Sequence, residues 1–229
     1  YHADEAILNL ELVASLKKPV GFFDPNNLTE RNAEDLSDDS DEVKSTEMAS
    51  RGRRSPMLSF SNTDMAFQNN FLIAGNYHGF NIYDISKKDK PELLVSVVCP
   101  GGQGDISIVG NLLIMSVEET RGRVDCGLEG INSEPNPVRF RGLRIFDISD
   151  IKNPQQVGLV QTCRGSHTHS VVNQRTNEGK ILVYNSGTSS VRDEEELEQC
   201  IGNVAGDNRT ALFRIDIIEI PIENPEVPK

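Results

Sequence analysis

Hydrophobic residues in this chain come in short runs, mostly β-branched or aliphatic, that alternate with turn-forming residues. Three segments each predict a strand, a turn and a second strand: "DMAFQNNFLIAG" from Asp64, "DISIVGNLLIMS" from Asp105 and "HSVVNQRTNEGKILVYNS" from His169. Runs of this kind, bounded by Gly, Asn, Asp and Pro, are typical of β-sheet proteins. Helical periodicity is scarce, so we predict an all-β fold.

A third strand follows each of these segments: "GFNIYDIS" from Gly79, "GLRIFDIS" from Gly142 and "ALFRIDIIEI" from Ala211. In the first two copies a turn marked by Pro91 or Pro154 leads to a fourth strand, whereas the third copy matches less well at this point. A recurring unit of four strands is typical of a β-propeller, whose blades bury their faces only against neighbouring blades. We therefore predict a β-propeller of four-stranded blades, of which this chain covers about three.

The sequence pattern that the copies share is also similar to that of a known family. The core "G-[FL]-x-I-[YF]-D-I-S-x-x-x-x-P", preceded by "NLLI" or "NFLIAG", resembles the LVIVD-repeat family of bacterial, mostly exported β-propellers. The resemblance covers residues 62–225, and "LNLELVASL" near the start fits the family's leading outer strand. It implies a fold and an extracytoplasmic location (periplasm, cell surface or secreted) rather than a reaction. Because propellers of this family have more blades, it also implies completion by the rest of a longer chain or by another chain.

The net charge of the chain argues against some classes of binding partner. The chain carries 35 acidic and 23 basic residues, a formal net charge of −12, which argues against binding to nucleic acid or to an anionic membrane surface. Residues 22–60 hold much of the acid and few large apolar side chains, so we predict a mobile or extended insertion there. No run approaches the roughly 20 apolar residues that span a bilayer, and we expect no transmembrane segment.

Two of the four cysteines follow the repeat. Cys99 lies six residues before Asp105 and Cys163 lies six residues before His169, so we take the two cysteines as equivalent. Both belong to the connection from one blade to the next. This equivalence predicts that each has the same kind of partner.

The other two cysteines, Cys126 and Cys200, lie in long insertions at residues 118–140 and 187–209. Strand direction alternates within a blade, so these insertions emerge on the same face as the blade-to-blade connections. We predict two disulfides, Cys99 to Cys126 and Cys163 to Cys200. Each would contribute about 3 kcal/mol and would place the protein outside the cytoplasm. Four buried thiols are the alternative, and a zinc site is less favoured because no C-x-x-C spacing is present.

The stretch "SHTHS" (Ser166–Ser170) is the one local constellation that could bind a metal. His167 and His169 alternate on a strand and can point to one side. We take Asp64 and Asp105 as equivalents of His169 at the starts of inner strands, so the four residues could ring the channel and hold a divalent cation such as calcium. The alternative, which we favour, is that these residues cap strand starts by accepting hydrogen bonds from backbone amides. In that case we expect no cofactor.

No nucleophile motif such as G-x-S-x-G occurs, and we expect no catalytic residue. We therefore predict an exported module that binds or scaffolds a protein or a surface glycan. Its partner would bind to the insertion-bearing face, and the protein would be a subunit of a cell-surface assembly. Two alternatives stay open. One is a metal-dependent hydrolase or lyase at the central channel, and the other is that the insertions only shield the disc.

Overall fold

The computed structural model describes residues 8–19, 21–22, 61–131, 133, 135–173 and 179–226. Within these ranges the chain forms β-strands and no helix, which confirms the all-β prediction. The strands are β1 (Asn62–Gln68), β2 (Phe71–Asn76), β3 (Gly79–Asp84), β4 (Glu92–Val98), β5 (Ile106–Val109), β6 (Leu112–Val117), β7 (Gly142–Asp147), β8 (Gln155–Gln161), β9 (Thr168–Asn173), β10 (Lys180–Ser186) and β11 (Asp216–Pro221). The described ranges accordingly contain no helix that is long and apolar enough to cross a membrane.

The strands form three antiparallel sheets in chain order: β1 to β4, β5 to β8, and β9 to β11. The first and second sheets share one register, because β3 and β7 each begin at a glycine paired with the last residue of the following strand. Both glycines have a positive φ, 136° for Gly79 and 143° for Gly142. A Cβ on either would lie 1.9 Å from the carbonyl oxygen of Val97 or Val160. The recurring glycine of the sequence is therefore required by the close approach of two backbones.

Neighbouring sheets pack face to face through two apolar layers, which we call the first and second junctions. The first junction lies between the first and second sheets and includes Ile73, Phe80, Ile82, Leu113, Met115 and Phe146. The second junction lies between the second and third sheets and includes Ile114, Leu143, Ile145, Ile181, Val183, Ile218 and Ile220. Strand β6 serves both, because successive side chains of a strand point to opposite faces.

The insertions at residues 118–140 and 187–209 lie where the sequence predicted them, between β6 and β7 and between β10 and β11. Disulfides join Cys99 to Cys126 and Cys163 to Cys200, the pairing predicted above. Sequence separations of 27 and 37 residues correspond to about 3 to 4 kcal/mol of stabilisation each in the chain-entropy treatment. Each insertion is thus tied to the connection that leads into the sheet that carries it.

A buried ion-pair triad ties the two insertions to each other. The Glu196 carboxylate lies 3.0 Å from Nε of Arg139 and 3.1 Å from Nε of Arg192. All three side chains are 3% exposed or less. Two cations therefore share one buried carboxylate, an arrangement in which loss of the anion leaves uncompensated charge.

Three sequence predictions differ from the structure or fall outside it. Residues 8–19 form no strand, although "LNLELVASL" was expected to be an outer strand. Strand β11 begins at Asp216 rather than at Ala211, because residues 211–215 still belong to the connection from the second insertion. The acidic insertion at 22–60 lies, apart from Phe22, outside the described residues.

Candidate functional site

The strand register of the third sheet shows that the residue equivalent to Asp64 and Asp105 is one position away from His169, which the sequence analysis had assigned to that place. Ile106 pairs with Met115 at the start of β5, and His169 pairs with Asn185 in β9. The amide of Gly104 donates to Ser116 O in the second sheet, as the amide of His167 donates to Ser186 O in the third. His169 therefore occupies the place of Ile106, and His167 that of Gly104. The expectation that His169 is equivalent to Asp64 and Asp105 is wrong.

The reason for this shift is an additional residue before the second of the equivalent cysteines. Cys99 follows Pro91 by eight residues, whereas Cys163 follows Pro154 by nine. Val98 and Gln161 pair with the equivalent glycines of the two sheets, so Cys99 corresponds to Thr162 and not to Cys163. Counting from the prolines would have given the correct register.

In the second junction a polar contact replaces an apolar one. In the first junction Ile106 packs against Gly75, where an added Cβ would come 3.3 Å from Ile106 Cγ2. In the second junction Ser116 takes the place of Gly75, and its Oγ lies 2.8 Å from Nδ1 of His169. The same Oγ lies 2.7 Å from Oγ of Ser166. The side chains of all three polar residues are buried.

His169 has one ring nitrogen without a partner. Its Nε2 is buried and makes no hydrogen bond to any part of the chain that the structure describes. Burial lowers the pKa of His169 to about 4, although the charge of Asp64 acts in the opposite direction. The imidazole is therefore neutral at neutral pH, and its Nε2 is a buried polar atom whose desolvation nothing in these ranges offsets.

A carboxylate–imidazole pair lies next to this histidine. Oε2 of Glu118 is 2.8 Å from Nδ1 of His167, and Oε1 accepts hydrogen bonds from Thr188 Oγ1 (2.9 Å) and from the amide of Ser189 (3.1 Å). Burial raises the pKa of Glu118, but the hydrogen bonds from His167 and Thr188 outweigh it and leave the pKa lowered. The ionised carboxylate therefore fixes Nδ1 of His167 as its donor.

The first junction has no counterpart of this pair, because Tyr77 stands at the position of Glu118 and Gly104 at that of His167. Sequence reasoning identified both histidines but missed Ser116 and Glu118. A signal for them was present: at these two positions the second copy of the repeat carries polar residues where the first carries Gly75 and Tyr77.

The two predicted aspartates bond backbone amides rather than the side chains of this cluster. Asp64 accepts hydrogen bonds from the amides of Met65 (2.8 Å) and Ile106 (3.0 Å), so it caps backbone as the favoured alternative predicted. The backbone oxygen of Asp105 accepts from the amide of Ser116 at 2.9 Å. Among the described residues no group of three or more His, Cys, Asp or Glu side chains could hold a metal ion. Asp64, Asp105, His167 and His169 therefore do not form one ligand set.

A cavity of about 470 Å³ opens beside Glu118 on the insertion-bearing face. The residues that line it precede β1, follow β2, or lie in the connection from β4 to β5 and in the two insertions: Ser61, Tyr77, His78, Gly102, Gln103, Glu118, Glu119, Thr120 and Ser189. The backbone oxygen of Tyr77 accepts from the amides of Gly101 (3.2 Å) and Gly102 (2.8 Å), which fixes the rim. Another cavity, of about 410 Å³, lies at the β5–β6 turn and contains none of the polar cluster.

Both carboxylates of the larger cavity are already paired. Glu118 bonds His167 as described, and Glu119 Oε1 lies 2.8 Å from Nε of Arg121. Tyr77 is 41% exposed, so its ring is accessible to a ligand. The cavity therefore offers hydrogen-bonding groups and one aromatic ring with little uncompensated charge.

No protein-family model matches this chain, and a search of curated proteins finds no significant match.

Proposed function

We propose that this protein is an exported β-propeller of the LVIVD-repeat type that binds a surface glycan through its insertion-bearing face. The observation that carries the proposal is the cavity of about 470 Å³ that opens there between Tyr77, Gln103 and Glu118. It lies on the face where the two disulfide-tied insertions emerge. The protein acts as a binding or scaffolding module of a cell-surface assembly.

Rigidity of this face supports a binding role. Each insertion is held by a disulfide, and the two insertions share the buried carboxylate of Glu196. Arg141 further joins the second sheet to the second insertion, since its Nη1 donates to Ser189 Oγ and Ser190 O at 2.9 Å. Loops ordered before binding lose little conformational entropy when a ligand arrives.

The chemistry of the cavity favours a neutral polyhydroxylated ligand. The ring of Tyr77 can pack against the C–H face of a sugar, and Gln103, Thr120 and Ser189 can exchange hydrogen bonds with its hydroxyl groups. A cationic ligand is less suited, because the carboxylate of Glu119 is already paired with Arg121. A glycan therefore fits this cavity better than a basic peptide.

Two further observations support the propeller and its location. Four-stranded antiparallel sheets with one register pack face to face in chain order, as propeller blades do. Two disulfides are typical of proteins from oxidising compartments. The far edge of the third sheet, β11, is the place where the rest of a longer chain or another chain would complete the disc.

The test is retention of the purified protein on an array of bacterial surface glycans, followed by calorimetry with the glycans that bind. We expect Tyr77→Ala to weaken binding at least about tenfold, the loss of a stacking contact worth about 1.4 kcal/mol. Tyr184→Ala is the matched control, because Tyr184 is similarly exposed (36%) but lies on the third sheet. Failure of every glycan to bind, or equal binding by Tyr77→Ala and wild type, would count decisively against the proposal.

A further inference from the structure

We propose that His167 and His169 bind a first-row transition-metal dication of the Zn²⁺ class through their Nε2 atoms. The two histidines form an H-x-H motif at the start of β9. Residues two apart on an extended strand present their side chains to the same side. Glu118, which orients His167, also lines the cavity of the proposed function, but metal binding does not depend on a glycan in that cavity.

Both imidazoles are oriented by oxygen atoms from the same strand end. Nδ1 of His169 lies 2.8 Å from Ser116 Oγ, and Nδ1 of His167 lies 2.8 Å from Glu118 Oε2. Ser116 and Glu118 are also two residues apart, so the two rings are held by neighbouring positions at the end of β6. Metal-binding histidines almost always donate their other ring nitrogen to a carboxylate or similar oxygen, which leaves Nε2 as the ligand atom.

The contact of His167 indicates which of its nitrogens is available, and the contacts of His169 are compatible with the same choice. Nδ1 of His167 lies 2.8 Å from a carboxylate oxygen, which accepts a hydrogen bond, so in the neutral imidazole the proton is on Nδ1 and the lone pair is on Nε2. For His169, the hydroxyl of Ser116 can donate to Ser166 Oγ at 2.7 Å and accept from Nδ1. Both Nε2 atoms are then lone-pair donors, and neither has a hydrogen-bond partner within the described ranges.

The buried, unpartnered Nε2 of His169 is the independent sign of a ligand. Folding does not require an imidazole here, because the equivalent Ile106 fills the first junction against Gly75. An unpartnered polar atom in place of an isoleucine is unfavourable unless something binds to it. A metal ion would satisfy it.

The ligand type selects the metal. Neutral imidazoles favour Zn²⁺, Cu²⁺ and Ni²⁺, whereas Ca²⁺ takes six to eight oxygen ligands. The calcium ion considered from the sequence is therefore replaced by a softer ion. Two protein ligands leave other coordination positions for water or for an added ligand.

The experiment uses tag-free protein that has been stripped with a chelator and then titrated with Zn²⁺ in a calorimeter. We expect one equivalent to bind, and binding to be lost in His167→Ala. In Glu118→Gln, which keeps both histidines but removes the charge on the orienting oxygen, we expect affinity to fall by about 10- to 100-fold. His2→Ala removes a histidine outside the described ranges and should leave the titration unchanged.

A double variant separates metal binding from folding. Ser116→Gly combined with His169→Ile recreates the residues of the first junction, so it should fold and no longer bind Zn²⁺. If that variant does not fold, the His167→Ala variant alone tests the proposal. The side chain of His167 is 46% exposed, so its truncation should not prevent folding. No heat of binding at millimolar Zn²⁺, or equal binding by wild type and His167→Ala, would overturn the proposal. Neither result bears on glycan binding, which Tyr77→Ala tests.

Discussion

The two junctions of this molecule are built on the same backbone frame but are filled differently. In the first, Ile106 packs against Gly75, Phe80 meets Phe146 edge to face with ring centroids 5.1 Å apart, and the buried Arg144 lies over the ring of Phe140. The second keeps an apolar layer but adds buried polar side chains at its insertion-bearing end. Since the first junction packs Ile106 against Gly75 at the equivalent positions, the buried histidine and serine of the second are not needed to build a sheet interface. This difference is the observation on which the proposed metal site rests.

The largest expected effect comes from the ion-pair triad that links the two insertions. Glu196→Gln leaves the buried cations of Arg139 and Arg192 without their anion, and we expect a loss of about 3 to 5 kcal/mol in the free energy of unfolding. Urea unfolding followed by circular dichroism measures it. Glu198→Gln, an exposed neighbour on the same insertion, should change stability by less than about 0.5 kcal/mol. Equal stability of the two variants would mean that the triad does not brace the insertions.

Removal of a disulfide should have nearly the same effect at either junction. The chain-entropy treatment gives about 3 to 4 kcal/mol for each bond and a difference of only about 0.3 kcal/mol between them. The double serine variants of Cys99 with Cys126 and of Cys163 with Cys200 can be compared by urea unfolding. A much larger loss for the second pair would show that Arg214, whose Nη2 lies 3.1 Å from Cys163 Sγ, depends on that bond.

The free energy of unfolding should depend on pH through the buried histidines. Unfolded histidine binds a proton near pH 6.5, whereas folded His169 does so only at about pH 4. Protonation between these values favours the unfolded chain, so the free energy of unfolding falls as the pH drops from 6.5 to 4. The contribution of His169 is about 3 kcal/mol. His78, whose pKa burial likewise lowers to about 4, adds a dependence of the same sign.

The Ser116→Gly/His169→Ile variant isolates this contribution. Its stability should fall less than that of wild type between neutral pH and pH 4, because it retains His78 but not His169. Urea unfolding at the two pH values gives the comparison. An identical fall in both proteins would mean that His169 is protonated in the folded state and that the second junction tolerates the charge.

The smallest effect is expected from adding a methyl group to the first junction. The Cβ of Gly75→Ala would lie 1.9 Å from the carbonyl oxygen of Gly104, so backbone must move, and we expect a loss of about 1 to 3 kcal/mol. Gly202→Ala is the control, since a Cβ there meets no atom within 4 Å. A neutral effect of Gly75→Ala would show that the first junction could accept the serine of the second.

The regular part of the fold could be predicted from the sequence. Short apolar runs and turn residues gave the hairpins, and the glycines before β3 and β7 marked strands that begin at a close backbone approach. The disulfide pairing also followed from strand direction, although Cys99 and Cys163 are not strictly equivalent. It was predicted correctly because a shift of one residue on a connection still leaves each cysteine near its own insertion.

The polar cluster could not be predicted in full, because its members are distant in sequence. Glu118 and His167 are 49 residues apart and meet only through sheet packing. His169 was assigned to a ring of aspartates because the count began at the cysteine rather than at the proline. Because successive side chains of a strand point to opposite faces, an error of one residue changes the predicted face. The prediction therefore placed His169 at the channel, whereas the structure places it in the second junction.

The shared carboxylate of Glu196 has a consequence for how the molecule comes apart. In stacked sheets, cooperativity depends on the coupling between neighbours. The second and third sheets are coupled by the triad between their insertions in addition to their apolar layer. Separation of these two sheets therefore requires the loss of a buried ion pair together with the loss of apolar contacts, which favours their opening in a single step.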